Sequence, residues 1–334
     1  MFLRRVVLAF VLMLALLAGA AAWWVQQPLS LRAAVLDLSI EMGTSPRAIA
    51  QAIADAGVDV NPDLMYAWFR VSGDARKIKA GSYEIKAGDT PQSILSRLTR
   101  GDEALRAFVL VEGWNFRQVR QALSQAELLK PESQSLSDDA LMEKLGRPGR
   151  AAEGRFFPDT YAYAKGSSDL ALLARAAKAM DSKLDAAWAQ RAPGIALQTA
   201  EQALILASII EKETGRPSDR PMIGSVFHNR LRLGMLLQTD PTVIYGMGTH
   251  YTGRLRKVDL QTDTPWNTYT RAGLPPTPIA MPGKAALLAA VQPATSRATY
   301  FVSRGDGSSE FSDNLEAHNR AVNKYIRSRP AGSP

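Results

Sequence analysis

Residues 201–215 read Glu201-Gln-Ala-Leu-Ile-Leu-Ala-Ser-Ile-Ile-Glu-Lys-Glu-Thr-Gly215, an apolar run that passes directly into carboxylates. Leu204, Ile205, Leu206, Ile209 and Ile210 spread around the whole helical wheel, so the spacing predicts a helix buried in a core. Gly215 supplies the expected stop. At about 100° per residue, Glu213 falls between the directions of Leu206, Ile209 and Ile210, whereas Glu211 falls near Leu204, Ala207 and Ser208. Glu213 therefore has the more apolar surroundings. Desolvation raises the pKa of a carboxyl, which keeps a proton available for general-acid chemistry near neutral pH. The alternative is that both acids only end the helix at the surface beside Lys212, since structural ion pairs perturb acids as well.

The surrounding chain is large enough for a sizeable core and more than one domain: 334 residues, 46% hydrophobic and 22% charged, which excludes disorder. A net charge of +8 suits an anionic partner such as a membrane surface or an acidic polymer. No Lys/Arg run with interleaved aromatics points to nucleic acid. The absence of cysteine removes disulfide frameworks, thiolate zinc sites and cysteine nucleophiles. His228, His250 and His318 are the only histidines and form no H-E-x-x-H pair, so no metal is expected. There is no Gly-rich phosphate loop and no G-x-S-x-G elbow, and no cofactor is expected.

Residues 6–25 are uncharged and mostly apolar, preceded by Arg4 and Arg5 and closed by Trp23 and Trp24. This is the pattern of a spanning helix with a positive cytoplasmic end at residues 1–5 and an aromatic interface belt. Everything after the anchor then lies on the far side. A cleaved signal peptide is the alternative, with small-residue sites in Ala18-Gly-Ala-Ala-Ala22, although the apolar run exceeds the usual length of such a segment.

Between the anchor and about residue 125, three glycines start the same pattern. Gly43 is followed by Ile49 and Ile53, Gly88 by Ile94 and Leu98, and Gly113 by Val119 and Leu123, each pair at helical spacing. Thr44-Ser45-Pro46 and Asp89-Thr90-Pro91 put a capping group ahead of proline at the first helical position. Ser82–Ile85 and Phe108–Val111 read as strands, and Asn61-Pro62 opens a helix with Leu64 and Trp68 on one face. Gly81 to Leu98 resembles part of a LysM module, the small peptidoglycan-binding unit. Residues 130–150 are polar and read as a linker or a surface helical insertion. Phe156, Phe157, Tyr161 and Tyr163 surround a Pro-Asp turn and serve either to stack on sugar faces or to pack the domain. Leu170 to Ala189 reads as an amphipathic helix.

Beyond Gly215 the motifs are rich in amides, hydroxyls and rings, side chains that bond carbohydrate hydroxyls and stack on pyranose faces. Ala207-Ser-Ile-Ile-Glu-Lys-Glu-Thr214, Asn229-Arg-Leu231, Gln238-Thr-Asp-Pro-Thr-Val-Ile-Tyr-Gly246, Asn267-Thr-Tyr269, Gly273-Leu-Pro-Pro276 and His318-Asn319 closely resemble the MltG (YceG-like) endolytic murein transglycosylase family. Trp266 departs from the tyrosine expected there, so that position carries no hydroxyl role. The resemblance implies an α+β protein: a transmembrane helix at 6–25, a LysM-like α+β subdomain at 30–104, a catalytic domain with a buried catalytic helix at 105–328, and a tail at 329–334. It also implies that Glu213 is the catalytic residue, acting on peptidoglycan strands at the bacterial inner membrane with the bulk of the chain periplasmic, possible synthase partners beside it.

One carboxyl suffices for the chemistry. Glu213 would protonate the glycosidic oxygen after N-acetylmuramic acid, then take the proton of that sugar's C6 hydroxyl, closing a 1,6-anhydro ring without water. Gln238, Asp240, Tyr245, Asn267, Tyr269 and Asn319 are the candidate substrate-binding residues, with Asp240 alternatively capping a turn before Pro241. Two rivals stand beside this reading: a two-carboxylate muramidase using Glu213 and Asp240 with water, and a non-catalytic peptidoglycan-binding scaffold.

Overall fold

The computed structural model describes residues 2–328, so the expected tail at 329–334 lies outside the described residues. Two compact units divide the chain: residues up to 106 together with 162–166, and residues 107–161 together with those from 167 onward.

The first unit begins with α1 (Phe2–Trp24), 23 residues long, which starts ahead of the expected Val6. Its span from Leu3 to Trp24 has a mean hydropathy of 2.5, long and apolar enough to cross a membrane. There follow β1 (Ser30–Leu31), β2 (Val35–Ile40), α2 (Pro46–Asp55), β3 (Val58–Asp59), α3 (Pro62–Val71), β4 (Gly81–Lys86) and α4 (Pro91–Arg100). β2 pairs antiparallel with β4, setting Leu36 opposite Ile85 and Leu38 opposite Tyr83. All four are buried, the inward half of a period-2 pattern.

Helices in this unit start where local chemistry demands it. Ser45 and Thr90 each accept the amide three residues on, with proline at the first position behind them. Gly43 and Gly88 hold φ of 87° and 93°, a left-handed turn that a Cβ would strain. Ile49, Ile53, Ile94 and Leu98 then fall in the core as the repeat predicts. Asp89 accepts the Lys86 amide at 2.7 Å and both terminal nitrogens of Arg97 at 2.8 Å, so the Gly-Asp-Thr sequence is knotted to its own helix. As expected, Leu64 and Trp68 fall on one face of α3, where they line the same cavity. Met65 and Phe69 are the buried pair, while Leu64 stays 54% exposed.

The chain continues with β5 (Leu105–Val109), α5 (Phe116–Ser124), α6 (Asp138–Lys144), β6 (Thr160–Ala164), α7 (Asp169–Ala189), α8 (Ala200–Glu213), α9 (Arg220–Arg232), α10 (Asp240–Met247), α11 (Lys257–Gln261), α12 (Lys284–Val291), β7 (Tyr300–Ser303), β8 (Ser309–Ser312) and α13 (Leu315–Val322); β5 and β6 are divided between the two units, and the other elements belong to the second. β5 pairs with β6, and β7 with β8. The secondary structure is mixed α+β.

α8 is the axis of this unit. Every residue from Ala203 to Ile210 is buried, and the helix packs on α12, α9, α7 and α10. A Cβ on Gly224 of α9 would lie 2.4 Å from the Ala289 carbonyl oxygen of α12, so these two helices approach as closely as glycine allows. His228, fully buried, accepts the Ala196 amide at Nδ1 and donates from Nε2 to the Ala290 carbonyl, a neutral structural histidine.

Two expectations need correction. α8 does not stop through Gly215; Thr214 turns extended (φ −147°, ψ 134°) and Gly215 is not left-handed. Residues 130–150 are neither linker nor surface insertion, because Leu141 and Met142 of α6 are fully buried and Ser133 is held by the buried Asp169. Of the two alternatives for Phe156, Phe157, Tyr161 and Tyr163, packing is the one that fits, since all four are buried.

Candidate active site

Glu213 is the last residue of α8, placed where the buried apolar run gives out. Its side chain is half-buried, and burial pushes its carboxyl up to about 7. The Thr239 hydroxyl donates to it and pulls the other way, Asp240 adds a raising charge, and Arg230 a lowering one. The result is a carboxyl that is protonated for part of its time near neutral pH and has few donors holding it as an anion.

Thr239 ends the loop leading into α10 and Asp240 opens that helix, while Arg230 comes from α9. Gln238 has φ of 49°, a left-handed backbone outside glycine, and its side chain is exposed. Such a conformation costs about 1 kcal/mol and persists only when its surroundings enforce it. The enforcement is visible: the Gln238 amide donates to the Thr268 carbonyl at 3.0 Å, and the Thr239 amide to the Thr268 hydroxyl at 3.1 Å. Thr242 and Thr268 share a further hydroxyl contact at 2.9 Å. Asp240 is the first helical residue of α10, not a turn cap, and accepts the Tyr269 hydroxyl at 2.6 Å. Burial, that bond and the neighbouring carboxylates push the Tyr269 phenol far up, so it remains a donor.

Arg230 goes unremarked in the sequence beyond its place in the Asn229-Arg-Leu231 step, yet it organises this loop. Its buried guanidinium donates to the carbonyls of Leu237 at 2.7 Å, Leu236 at 3.2 Å and Thr299 at 2.7 Å. It also lies 5.2 Å from the Tyr300 ring, which stacks on His318 at 5.1 Å. Asn319, next on α13, is exposed.

Not every expected site residue joins the Glu213 group. Asn267 is fully buried, donating to the carbonyls of Leu260 and Thr262 and accepting the Tyr269 amide, which sets the Tyr269 loop and leaves its amide occupied. The Tyr245 hydroxyl bonds to Glu153 and Thr277, and its ring meets Trp266 edge-on at 5.4 Å. Glu211 is paired with Arg220 at 2.7 Å, both side chains buried, and accepts the Gly283 amide at 2.9 Å.

Glu153 is a second buried carboxyl that the sequence does not announce. Both of its oxygens accept the Phe116 amide, at 3.1 and 3.0 Å, and the Gly154 amide and Tyr245 hydroxyl add to it. Burial still pushes it up to about 7. It lines a cavity of about 300 Å³ with Phe116, Tyr245, Trp266 and Thr277. Among the described residues no group of three or more His, Asp or Glu is placed to hold a metal ion.

A half-buried carboxyl thus ends α8 on an α+β domain, held near neutrality by burial, bonded by the Thr239 hydroxyl and close to Asp240 with its Tyr269 phenol. The sequence profile of the YceG-like family matches residues 38–324, and the chain belongs to that family. It is 30% identical to the endolytic murein transglycosylase of Bacillus subtilis, over 88% of this chain and 86% of that protein. The endolytic murein transglycosylase of Streptococcus pneumoniae is 24% identical over 98% of this chain, which spans 66% of that longer protein. A crystal structure of a yceG-like protein from Listeria monocytogenes is similar in fold, with TM-score 0.54 and 27% identity, covering 86% of this chain and 98% of its own.

Proposed function

We propose that the chain is an endolytic peptidoglycan lytic transglycosylase whose catalytic acid and base are one residue, Glu213. The observation that carries this reading is the half-buried carboxyl at the end of α8, pushed up to about 7 and bonded by one hydroxyl, Thr239. As the acid, Glu213 gives its proton to the glycosidic oxygen between N-acetylmuramic acid and N-acetylglucosamine, and the C1–O bond breaks. As the carboxylate, it accepts the proton of the muramyl C6 hydroxyl while that oxygen bonds to C1. The proton returns to Glu213, no water is consumed, and a 1,6-anhydro end is left. Gln238, Asp240, Tyr269 and Asn319 are the groups with side chains available to hold the strand and the oxocarbenium-like charge. Asn267 and Tyr245 position the loops from which they project.

The relatives' names support murein as substrate. α1 supports a single-pass anchor, with the N-terminus cytoplasmic and the rest periplasmic by virtue of Arg4 and Arg5. On that reading, residues 30–104 form a LysM-like subdomain, supported by the β2–α2–α3–β4 order, residues 105–328 the catalytic domain, and the site trims nascent strands beside peptidoglycan synthases.

Mass spectrometry of digested glycan strands tests the reaction. Anhydro ends, lighter by one water than reducing ends, are expected. Reducing ends in their place mean a hydrolase, with Asp240, whose charge already acts on Glu213, as the second carboxylate.

A further inference from the structure

The end of α1 is not a free stalk. Trp24 packs on the core of the first unit, Val25 is buried, and the Val25 carbonyl accepts the Gln92 amide at the start of α4 at 3.1 Å. The depth of the unit relative to α1 is therefore set. α3 lies beside this end of α1, and its residues Leu64, Ala67, Trp68 and Val71, spaced i, i+3, i+4 and i+7, form a continuous apolar stripe. Leu64 is 54% and Val71 82% exposed. The stripe and residues 18–25 of α1 line an apolar cavity of about 530 Å³. At 1.5 Å per residue those positions occupy roughly the last 10 Å of the helix, the depth of the outer acyl chains and headgroups for a helix that leaves the bilayer at Trp24. Exposed apolar rows of this kind are costly in water.

We infer that the Leu64–Val71 face of α3 is a membrane-seated surface which, with residues 18–25 of α1, takes lipid acyl chains of the leaflet that α1 leaves at Trp24. The inference rests on reading α1 as a spanning helix. It adds that the first unit lies on the bilayer instead of standing off it.

The chain contains no cysteine, so single labels can be placed cleanly. Leu14→Cys, Leu64→Cys and Val71→Cys in the full chain would carry an NBD fluorophore in phosphatidylcholine/phosphatidylglycerol vesicles, with nitroxide-acyl lipid as one quencher and aqueous iodide as the other. Positions 64 and 71 are expected to lose about half their emission or more to the nitroxide lipid, and little to iodide, as position 14 does. Quenching by lipid at 14 with quenching only by iodide at 64 and 71 overturns the seating and leaves the anchor standing. No lipid quenching at any of the three overturns both. Labels at 64 and 71 shielded from both quenchers show a protein, such as a second copy of the chain, on this face and also overturn the inference.

Discussion

Glu213 and Glu153 share one electrostatic property and differ in everything else. Burial pushes both carboxyls up to about 7. Glu153 is buried, its oxygens taken by the Phe116 and Gly154 amides and the Tyr245 hydroxyl, whereas Glu213 is half-buried and bonded by one hydroxyl, that of Thr239. A raised pKa therefore marks desolvation and does not by itself mark catalysis. On the proposed reading, a partner that can yield separates a catalytic acid from one that only packs.

The largest effect expected from this contrast is on cleavage. Glu213→Gln should lower strand release on the order of 1,000-fold, the scale of a lost general acid–base, with little change in thermal unfolding. For the parent, release should fall about tenfold per pH unit above about 7, as the Glu213 proton is lost. Thr239→Val removes the hydroxyl that donates to Glu213 and, with the charge of Arg230, holds its pKa down. Release should drop about tenfold, and the alkaline limb of its pH profile should move upward.

Effects at Glu153 should appear in stability instead. Its carboxyl is raised in the folded chain, so the stability it contributes is full below the ordinary value of 4.5 and is lost as pH rises through about 7. Glu153→Gln cannot ionise and should lack this loss. The stability difference between parent and variant should shift by on the order of 3 kcal/mol between pH 4.5 and 8, read from urea unfolding, with strand release within about threefold. Tyr245→Phe should be the mildest, about 1 kcal/mol in unfolding, with the Glu153 carboxyl moving further up.

How much of this could be read in the sequence depends on how local its cause is. The burial of α8 follows from angular position alone, and the capped helices at Ser45 and Thr90 from three or four neighbouring residues. Arg230 and Glu153 answer to contacts distant in sequence, with Thr299 and with Phe116 and Tyr245, which no spacing encodes. The end of α8 misled for the opposite reason: Gly215 has the composition of a stop, while the extended Thr214 does the work. Asn267 looked like a sugar ligand by type, but its amide lies buried among backbone carbonyls, a fact of tertiary packing.

The most direct measurement is release of soluble fragments from purified glycan strands by the parent, Glu213→Gln and Glu153→Gln chains side by side at about pH 6, with folding verified for each. The expected result is that Glu213→Gln alone loses activity, while Glu153→Gln cleaves close to the parent rate. A folded Glu213→Gln chain that cleaves as fast as the parent contradicts the account.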